Sequence, residues 1–510
     1  MMLFALPFVF MMSGCKKFLD RKPLTATLDD LNQGGLESQI YGLYSFFRTG
    51  YGVVGSLPHL GLHGFRSDDA VKGSEQSDGA EWVGIIDNFN YDKNWLAIYN
   101  SRDNNGYWID HYKLINFANT AIQTADSLKL SELSDQVNLG EARFFRAYAY
   151  FDLVRTFGEV PIIDFRIYEA SQANVPKKTI PEVYALIDAD LQYAESILPP
   201  TWATSVGNKF PGRLTSGAAR ALHAKTYIFR KNWTQTLSYC QQVISSGQYA
   251  LYTPYWKIFK DEGENSSESI FEVQAEVLSP TQDYGSNYAV MQNVRQTTAS
   301  GWNLGWGWNT PTQSLVDAFE TGDPRKDATI LFAGQSDDPT SGGYGRTLPK
   351  FIDDGGILFS RYYNKKVYAD PAKRAALNHL DNPDWINQRL IRYADVILMA
   401  AEAANEIGGA ANAQLAEDYL EMIRARARGS AAVLPHVAFV NQAQMRDAIK
   451  HERRVEFGME DLRFFDLVRW GDAVNVLGPL GYKDKNKYYP LPQEAVDKSG
   501  GVLKQNPDYL

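Results

Sequence analysis

The chain has 510 residues, of which 44% are apolar and 22% are charged, a balance typical of a folded soluble body with a large core. Its formal net charge of −9 argues against nucleic acid as a partner, because phosphate binding needs clustered Lys and Arg. After residue 15, no stretch approaches the ~20 consecutive apolar residues that a membrane-spanning helix needs.

The first residues predict export and a lipid anchor. An uninterrupted apolar run, residues 1–12, leads through two small residues to Cys15, and charged residues follow at once. A short apolar run of this kind is typical of a cleaved secretory signal, and small residues directly before a cysteine are typical of a bacterial lipoprotein signal. We therefore expect a signal peptide over 1–14, lipidation of Cys15 and a tether over 15–35. Acylation would leave Cys240 as the other cysteine, so no intrachain disulfide could form.

The next predicted elements are long helices. Residues 140–155 contain no helix breaker after Gly140, and Gly158 follows them, which predicts that a helix ends there. The following helix begins with a capping box formed by Thr179 and Glu182, and Pro199 with its neighbouring proline ends it.

Similar helix pairs recur and predict the fold class. Residues 213–230 pair with 234–246, and 390–407 pair with 412–428, where Asn412 is the expected N-cap and Gly429 the end. The first helix of each pair has alanines where a neighbour must come close: Ala147, Ala149, Ala221, Ala224, Ala394, Ala400 and Ala401. We expect a mainly α protein in which tetratricopeptide-like hairpins form an α-α superhelical scaffold with a long, loop-rich, partly β ligand-binding face.

Two long segments without helical periodicity interrupt the hairpins. Residues 48–106 are rich in Gly, Asn, Asp and Ser, and residues 250–385 mix Gly-rich turns with short strand candidates such as 269–273. Long irregular insertions in a compact protein are usually functional or disordered. Because 13% of the chain is aromatic and many of these rings fall in the two segments, we expect functional loops and not disorder.

Several phrases occur in a characteristic order along the whole chain. They are CKKFLD at 15–20, RFFRAY at 143–148, LVRTFGEVP at 153–161, RYADVILM at 392–399, ERRVEF at 452–457, RFFDLVRW at 463–470, YPLP at 489–492 and QNP at 505–507. Together they resemble the SusD/RagB family of outer-membrane lipoproteins of Bacteroidetes.

This resemblance implies both a fold and a function. The family fold is a helical body on tetratricopeptide-like hairpins with a loop-rich face. Its members are not enzymes and need no cofactor; they bind oligosaccharides, or sometimes peptides, at the cell surface and act as a lid on a SusC-type TonB-dependent transporter. The quoted phrases are scaffold phrases, so helix-packing ion pairs are expected at Arg453, Glu456, Arg463, Asp466 and Arg469.

A sugar-binding site needs flat apolar faces beside a few directional polar groups. The resemblance implies ligand contacts in two loop segments, 66–100 and 284–309. Three tryptophans fall within seven residues of the second segment, interleaved with Gly and Asn. The candidate ligand-binding residues are Asp68, Asp69, Trp82, Trp95, Tyr284, Tyr288, Trp302, Asn303 and Trp306. For Trp308 and Trp108 a core position is expected instead, because both adjoin helical segments.

Enzyme and metal sites have weaker support in the sequence. The chain has 60 Asp and Glu residues, so carboxylate pairs must occur and a glycosidase is an alternative that counting leaves open, but no motif isolates one such pair. His59 and His63 are four residues apart, but the glycines around them predict a loop, and no third metal ligand is evident. The acidic run 261–265 lacks the spacing of an EF-hand and is expected to be a solvated turn, with weak calcium binding as the alternative.

The combined interpretation is one integrated body with an N-terminal region, 36–250, and a C-terminal region, 251–510. We expect a lipoprotein facing the cell exterior that captures oligosaccharide by aromatic stacking and delivers it to a SusC-type transporter. The alternatives are a peptide-capturing member of the same transport system and, third, an unrecognised glycoside hydrolase.

Overall fold

The computed structural model describes residues 35–50, 52–91, 106–204, 207–208, 210–279, 282–296, 301–377 and 384–509. The predicted signal peptide 1–14, the lipidation site Cys15, nearly all of the tether and the candidate Trp95 lie outside these residues. Among the helices that the structure describes, none combines the length and the apolar character needed to cross a membrane.

Helices make up most of the fold, and the strands are short. The helices are α1 (Gly35–Thr49), α2 (Tyr107–Leu128), α3 (Leu133–Phe157), α4 (Ile180–Ile197), α5 (Ser216–Phe229), α6 (Trp233–Ser245), α7 (Asn287–Gln292), α8 (Gln313–Ala318), α9 (Pro324–Thr329), α10 (Pro371–Leu377), α11 (Tyr393–Ile407), α12 (Ala410–Arg428), α13 (Gln442–Glu456), α14 (Arg463–Trp470), α15 (Ala473–Leu477) and α16 (Gln493–Lys498).

The strands pair in twos. They are β1 (Ala70–Gly73) with β9 (Trp308–Pro311), β2 (Val160–Pro161) with β3 (Lys177–Lys178), β4 (Ala203–Thr204) with β5 (Gly207–Asn208), β6 (Ser269–Val273) with β12 (Gln388–Arg392), β7 (Glu276–Ser279) with β8 (Gln282–Tyr284), and β10 (Ile330–Phe332) with β11 (Tyr362–Asn364). The predicted strand at 269–273 is thereby confirmed.

The predicted helical hairpins are confirmed. α3 ends at Gly158, which has a φ of 77° that glycine adopts without strain, and α12 ends at Gly429. α3, α4 and α5 pack one against the next, and α6 packs against α11, so successive hairpins lie side by side. The alanines predicted at the close contacts are all fully buried. Small side chains at these positions allow the helix axes to approach.

Two local predictions are wrong. Residues 390–392 were expected to begin a helix, but they belong to β12 and pair with β6, so α11 begins only at Tyr393. Asn412 does not cap α12, because that helix already begins at Ala410, behind two glycines with positive φ. The Asn412 side-chain amide instead donates to the carbonyl oxygen of Gly408 at 2.8 Å.

The capping box at the start of α4 is confirmed and gives a testable prediction. The Thr179 hydroxyl donates to Oε2 of Glu182 at 2.8 Å, and the Glu182 carboxylate accepts from the backbone N–H of Thr179 at 2.9 Å. Replacing Thr179 by Ala should lower the free energy of unfolding by about 1 kcal/mol, measured by urea denaturation. Thr179→Ser keeps a hydroxyl and should keep most of the stability. An equal loss in both variants would contradict a capping role.

One large hydrophobic cluster contains residues from Leu36 to Tyr509, so the segments before and after residue 250 share an interior. Cys240 is buried within it as a free thiol, and burial raises the pKa of that thiol well above its usual value. Cys240 therefore contributes to the stability of the core by packing and not through a disulfide.

Buried ion pairs fasten the C-terminal helices to the body, as the scaffold interpretation predicts. The Arg453 guanidinium lies 2.9 Å from a carboxylate oxygen of Asp395 and 3.1 Å from one of Asp466. Each of the other two predicted arginines and the predicted glutamate also pairs with an oppositely charged side chain: Arg463, Arg469 and Glu456. The ion-pair prediction is thus confirmed.

Candidate functional site

Strands β1 and β9 bring the two predicted loop segments together. They pair antiparallel, with Gly73 opposite Trp308. The contact continues past the strands, where the backbone N–H of Ser74 donates to the carbonyl oxygen of Gly307 at 2.5 Å. We call this pair of strands the β1–β9 ribbon. Because one strand comes from each aromatic segment, the described parts of the two segments lie side by side.

Trp308 is the first residue of β9, and its side chain is buried in the core. Its Nε1–H donates to Oδ2 of Asp78 at 3.0 Å, and the Lys72 ammonium lies 5.0 Å from its ring centroid. Trp108 is buried in α2 and meets the ring of Phe157 edge-on, with centroids 5.0 Å apart. The expectation that these two tryptophans are core residues is confirmed.

Trp82 is also a core residue, so the expectation of an uncovered indole is wrong there. Its side chain is fully buried, and its ring meets that of Trp308 edge-on at 5.5 Å. The π-helical turn Leu60–Gly64 packs against it, and a Cβ atom at Gly61 would lie 2.5 Å from the Trp82 ring. Glycine at this position allows the turn to cover the indole.

Trp302 and Tyr288 are likewise buried, against expectation. The Arg346 guanidinium lies 3.8 Å from the Trp302 ring centroid, and the Tyr368 ring stacks with it at 6.1 Å. Tyr288 lies in α7, and burial raises its pKa well above the usual value. Neither ring is uncovered for a sugar to rest on.

Asp68 and Asp69 tie the start of the ribbon to helices α13 and α14. Arg463 binds both carboxylate oxygens of Asp68, at 2.9 and 3.0 Å, and Arg454 lies 2.7 Å from an oxygen of Asp69. Burial alone would raise the pKa of Asp68, but the hydrogen bonds and charge of Arg463 lower it overall, whereas burial raises the pKa of Asp69. Both carboxylates therefore hold the ribbon to the two helices, and their predicted sugar contact stays a prediction.

Three candidates retain accessible surface: Trp306 and Asn303 are half-buried, and Tyr284 is 50% exposed. Tyr284 lies beside α1, where Arg48 donates to its carbonyl oxygen at 2.9 Å. Trp306 lies in the turn that leads into β9, and its backbone N–H donates to the carbonyl oxygen of Val290 at 2.9 Å. The turn presents part of the indole to solvent while its backbone is held in place.

Charged side chains that sequence reasoning missed lie next to this turn. Arg295 pairs with Asp78 and lies 3.7 Å from a carboxylate oxygen of Glu75, and all three side chains are partly exposed. A Cβ atom at Gly307 would lie 2.8 Å from the Cβ of Arg295, so this group adjoins the Trp306 turn. We call Trp306, Arg295, Glu75 and Asp78 the Trp306 platform. The turn that bears the half-buried Trp306 thus adjoins partly exposed hydrogen-bond donors and acceptors.

The comparisons with known proteins identify the family. Residues 267–487 match the SusD family, and residues 65–228 match the family described as starch-binding associating with outer membrane. Together the two ranges take in most of the chain, including both strands of the ribbon. The chain belongs to the SusD/RagB family.

Relatives within the SusD/RagB family match over most of their length. SusD-like protein P2 of Formosa agariphila is 28% identical over 430 residues, which are 80% of this chain and 82% of that protein. A solved laminarin-binding SusD-like protein is 28% identical and has a TM-score of 0.73, covering 93% of this chain and 99% of the other. Surface glycan-binding protein A from Bacteroides fluxus is 25% identical, with a TM-score of 0.73 and the same coverage. The mainly helical fold with small sheets is thereby confirmed.

The sequence predicted a loop around His59 and His63, but in this SusD/RagB chain both histidines lie in helical turns. His59 ends a helical turn, His63 lies in the π-helical turn that follows, and the two rings stack at 4.0 Å. Asp152 of α3 supplies the missing third group, since one ligand atom from each residue lies within 4.8 Å of the others. However, the Arg155 guanidinium pairs with Asp152 and lies 3.3 Å from Nδ1 of His63. Its positive charge would repel a metal ion, so the group is a hydrogen-bond network.

The acidic run 261–265 has protein partners. Oδ2 of Asp261 lies 2.5 Å from the Lys373 ammonium, and its Oδ1 accepts from Nε1 of Trp385 at 2.9 Å. Glu262 lies 3.3 Å from the Lys257 ammonium. Lys373 and Lys257 thus lie against the carboxylates of Asp261 and Glu262, which were the alternative ligands for calcium.

Proposed function

We propose that this protein is a cell-surface glycan-binding lipoprotein, anchored in the outer membrane through Cys15, that delivers oligosaccharide to a SusC-type TonB-dependent transporter. The likeness to the laminarin-binding SusD-like protein carries the proposal, because it extends over 93% of this chain at 28% identity. The surface glycan-binding protein from Bacteroides fluxus supports the same ligand class. The proposed role is capture of the glycan and not its cleavage.

The Trp306 platform is the place where we propose that the glycan binds. A pyranose ring has an apolar C–H face that can rest on the accessible part of the indole, while its hydroxyls need donors and acceptors. Arg295 supplies donors, and the carboxylates of Glu75 and Asp78 supply acceptors, within one partly exposed cluster. Asn303 and Tyr284 remain candidates for further contacts, because both side chains keep accessible surface.

Tethering makes modest affinity sufficient in this scheme. A single aromatic contact contributes on the order of 1 kcal/mol beyond area burial, so one platform binds weakly. Two proteins held in one membrane meet at a raised effective concentration, which compensates for weak capture in solution. The proposed lipid at Cys15 supplies that tether.

Removing the Trp306 ring tests the proposed site. Trp306→Ala should weaken retention on laminarin about 10-fold, because the variant loses the stacking surface. Affinity electrophoresis of the chain from Cys15 to Leu510, against a panel of polysaccharides that includes laminarin, measures the effect. Tyr168→Ala is the matched control, because it also removes an exposed aromatic ring but lies outside the Trp306 platform. Tyr168 is 61% exposed, and its hydroxyl donates to Gln123 in α2.

Three outcomes would contradict parts of the proposal. Equal retention of the Trp306→Ala variant and the parent would refute the platform as the site. No retardation by any polysaccharide, together with binding of peptides in a parallel titration, would show a peptide-capturing protein. Release of reducing sugar during incubation would show a hydrolase.

A further inference from the structure

A cleft between four helices has the features of a sugar site, although it contains none of the predicted ligand residues. It has a volume of about 510 Å³ and is bounded by α3, α4, α5, α14 and the segment around Tyr488. This volume lies in the range typical of small-ligand pockets. Four aromatic residues contribute to its walls: Tyr184, Phe229, Phe465 and Tyr488.

Two tyrosine hydroxyls are available to a ligand in the cleft. Among the residues that the structure describes, the hydroxyls of Tyr184 and Tyr488 have no hydrogen-bond partner, although the rings are fully or half buried. Burial raises the pKa of both groups, so each hydroxyl is protonated at neutral pH and can donate as well as accept. A sugar hydroxyl has the same two capacities and pairs naturally with a phenol.

Arg155 forms part of the wall between α3 and α14. Its side chain is 7% exposed and lines the cleft, and its Nη2 group is already used by Asp152 and His63. Its Nε–H has no partner within the described part of the chain. The Nε atom itself has almost no accessible surface, so Arg155 forms part of the cleft wall, where its guanidinium lies 4.4 Å from the centroid of the Phe465 ring.

The charges in the cleft are paired, which favours a neutral ligand over an ion. Arg230 binds both carboxylate oxygens of Asp188 at 2.8 Å, and this pair is only 23% and 21% exposed. Arg469 is paired with Glu402 in the same way. A fixed carboxylate–guanidinium pair at the edge of an aromatic cleft presents an acceptor and a donor side by side, as two neighbouring sugar hydroxyls require.

We infer that this cleft is a second saccharide site, which holds one or two neutral sugar units separately from the Trp306 platform. The inference rests on the proposed function for the class of ligand but not for the position of the site. A glycan with two attachment points on one protein dissociates more slowly than one with a single weak contact. The cleft would thus slow dissociation of the glycan without any enlargement of the Trp306 platform.

Calorimetric titration of the Trp306→Ala chain with gluco-, galacto-, manno- and xylo-tetraoses tests the inference. We expect residual binding of at least one tetraose. Adding Val468→Trp, which places an indole in the cleft, should weaken that residual binding at least 10-fold. Adding Val474→Trp is the matched control, because Val474 is 51% exposed on the neighbouring helix α15 and does not line the cleft.

Two variants that remove only a hydroxyl group keep the test decisive if the Val468→Trp chain does not fold. Tyr184→Phe and Tyr488→Phe keep the rings and should each weaken the residual binding about 5-fold, the equivalent of one hydrogen bond. The inference is overturned if the parent binds a tetraose but the Trp306→Ala chain binds none. It is also overturned if none of the cleft variants weakens the residual binding. Failure of the parent to bind any saccharide would refute the proposed function itself, so the two failures are distinguishable.

Discussion

Replacing Glu456 by Gln should lower the free energy of unfolding by about 3–5 kcal/mol, because it removes one partner of a buried ion-pair network. The Glu456 carboxylate is fully buried at the end of α13. It contacts three guanidinium groups, those of Arg325 and Arg392 at 3.1 Å and that of Arg426 at 2.5 Å. Glutamine has nearly the same shape but no negative charge, so three buried cations would lose a shared counter-ion.

Equilibrium urea unfolding, followed by circular dichroism, measures this loss. The control is Asp354→Asn, because Asp354 pairs with Arg361 on the surface and both side chains are about half exposed. Solvent screens that pair, so its removal should leave the unfolding midpoint unchanged. If Glu456→Gln shifts the midpoint no more than the surface control, the buried network does not stabilise the fold as proposed.

Replacing Asp461 by Asn should stabilise the protein increasingly as the pH rises from 4 to 8. Burial, together with the negative charge of neighbouring Glu460, raises the pKa of Asp461 to about 8. The same carboxyl in the unfolded chain has an ordinary pKa near 4. Between about pH 4 and pH 8, Asp461 of the unfolded chain has therefore released a proton that Asp461 of the folded chain still holds. Rising pH therefore favours unfolding over this interval, and the effect levels off above about pH 8.

The asparagine of the Asp461→Asn variant cannot titrate, so the variant lacks this pH-dependent loss. One pH unit corresponds to at most about 1.4 kcal/mol, and the gain over the parent at pH 8 should be on the order of 3–5 kcal/mol. Asparagine also tolerates the positive φ of 62° at this position. Urea unfolding at several pH values tests the expectation, with Asp484→Asn on the exposed surface as control. Parallel pH profiles of the parent and the variant would show that Asp461 ionises normally.

Local patterns were sufficient to predict the scaffold. The capping box at Thr179, the end of α3 at Gly158 and the buried alanines of the hairpins depend on residues within one or two helical turns. The errors at 390–392 and at Asn412 lie at element boundaries, where a strand partner or a preceding glycine decides the outcome. The family resemblance, carried by ordered phrases along the chain, was confirmed by the family matches.

The exposure of the candidate rings could not be predicted in the same way. Trp82 is covered by a turn around Gly61 and by Trp308, more than 200 residues later in the chain. Trp302 is covered by Arg346, and Asp68 is held by Arg463 from a distant helix. A glycine-rich aromatic segment has the same composition whether its rings face solvent or the core.

The sequence by itself determined the helical hairpins, the charged scaffold phrases and the family, because each depends on short-range spacing or on the order of phrases. Only the tertiary structure decided which aromatic rings remain accessible, that Arg295 joins the Trp306 turn, and that four helices enclose a tyrosine-lined cleft. The physical reason is that burial and hydrogen-bond pairing are set by contacts between residues far apart in the chain. Such contacts leave no periodic signal in the residues that make them.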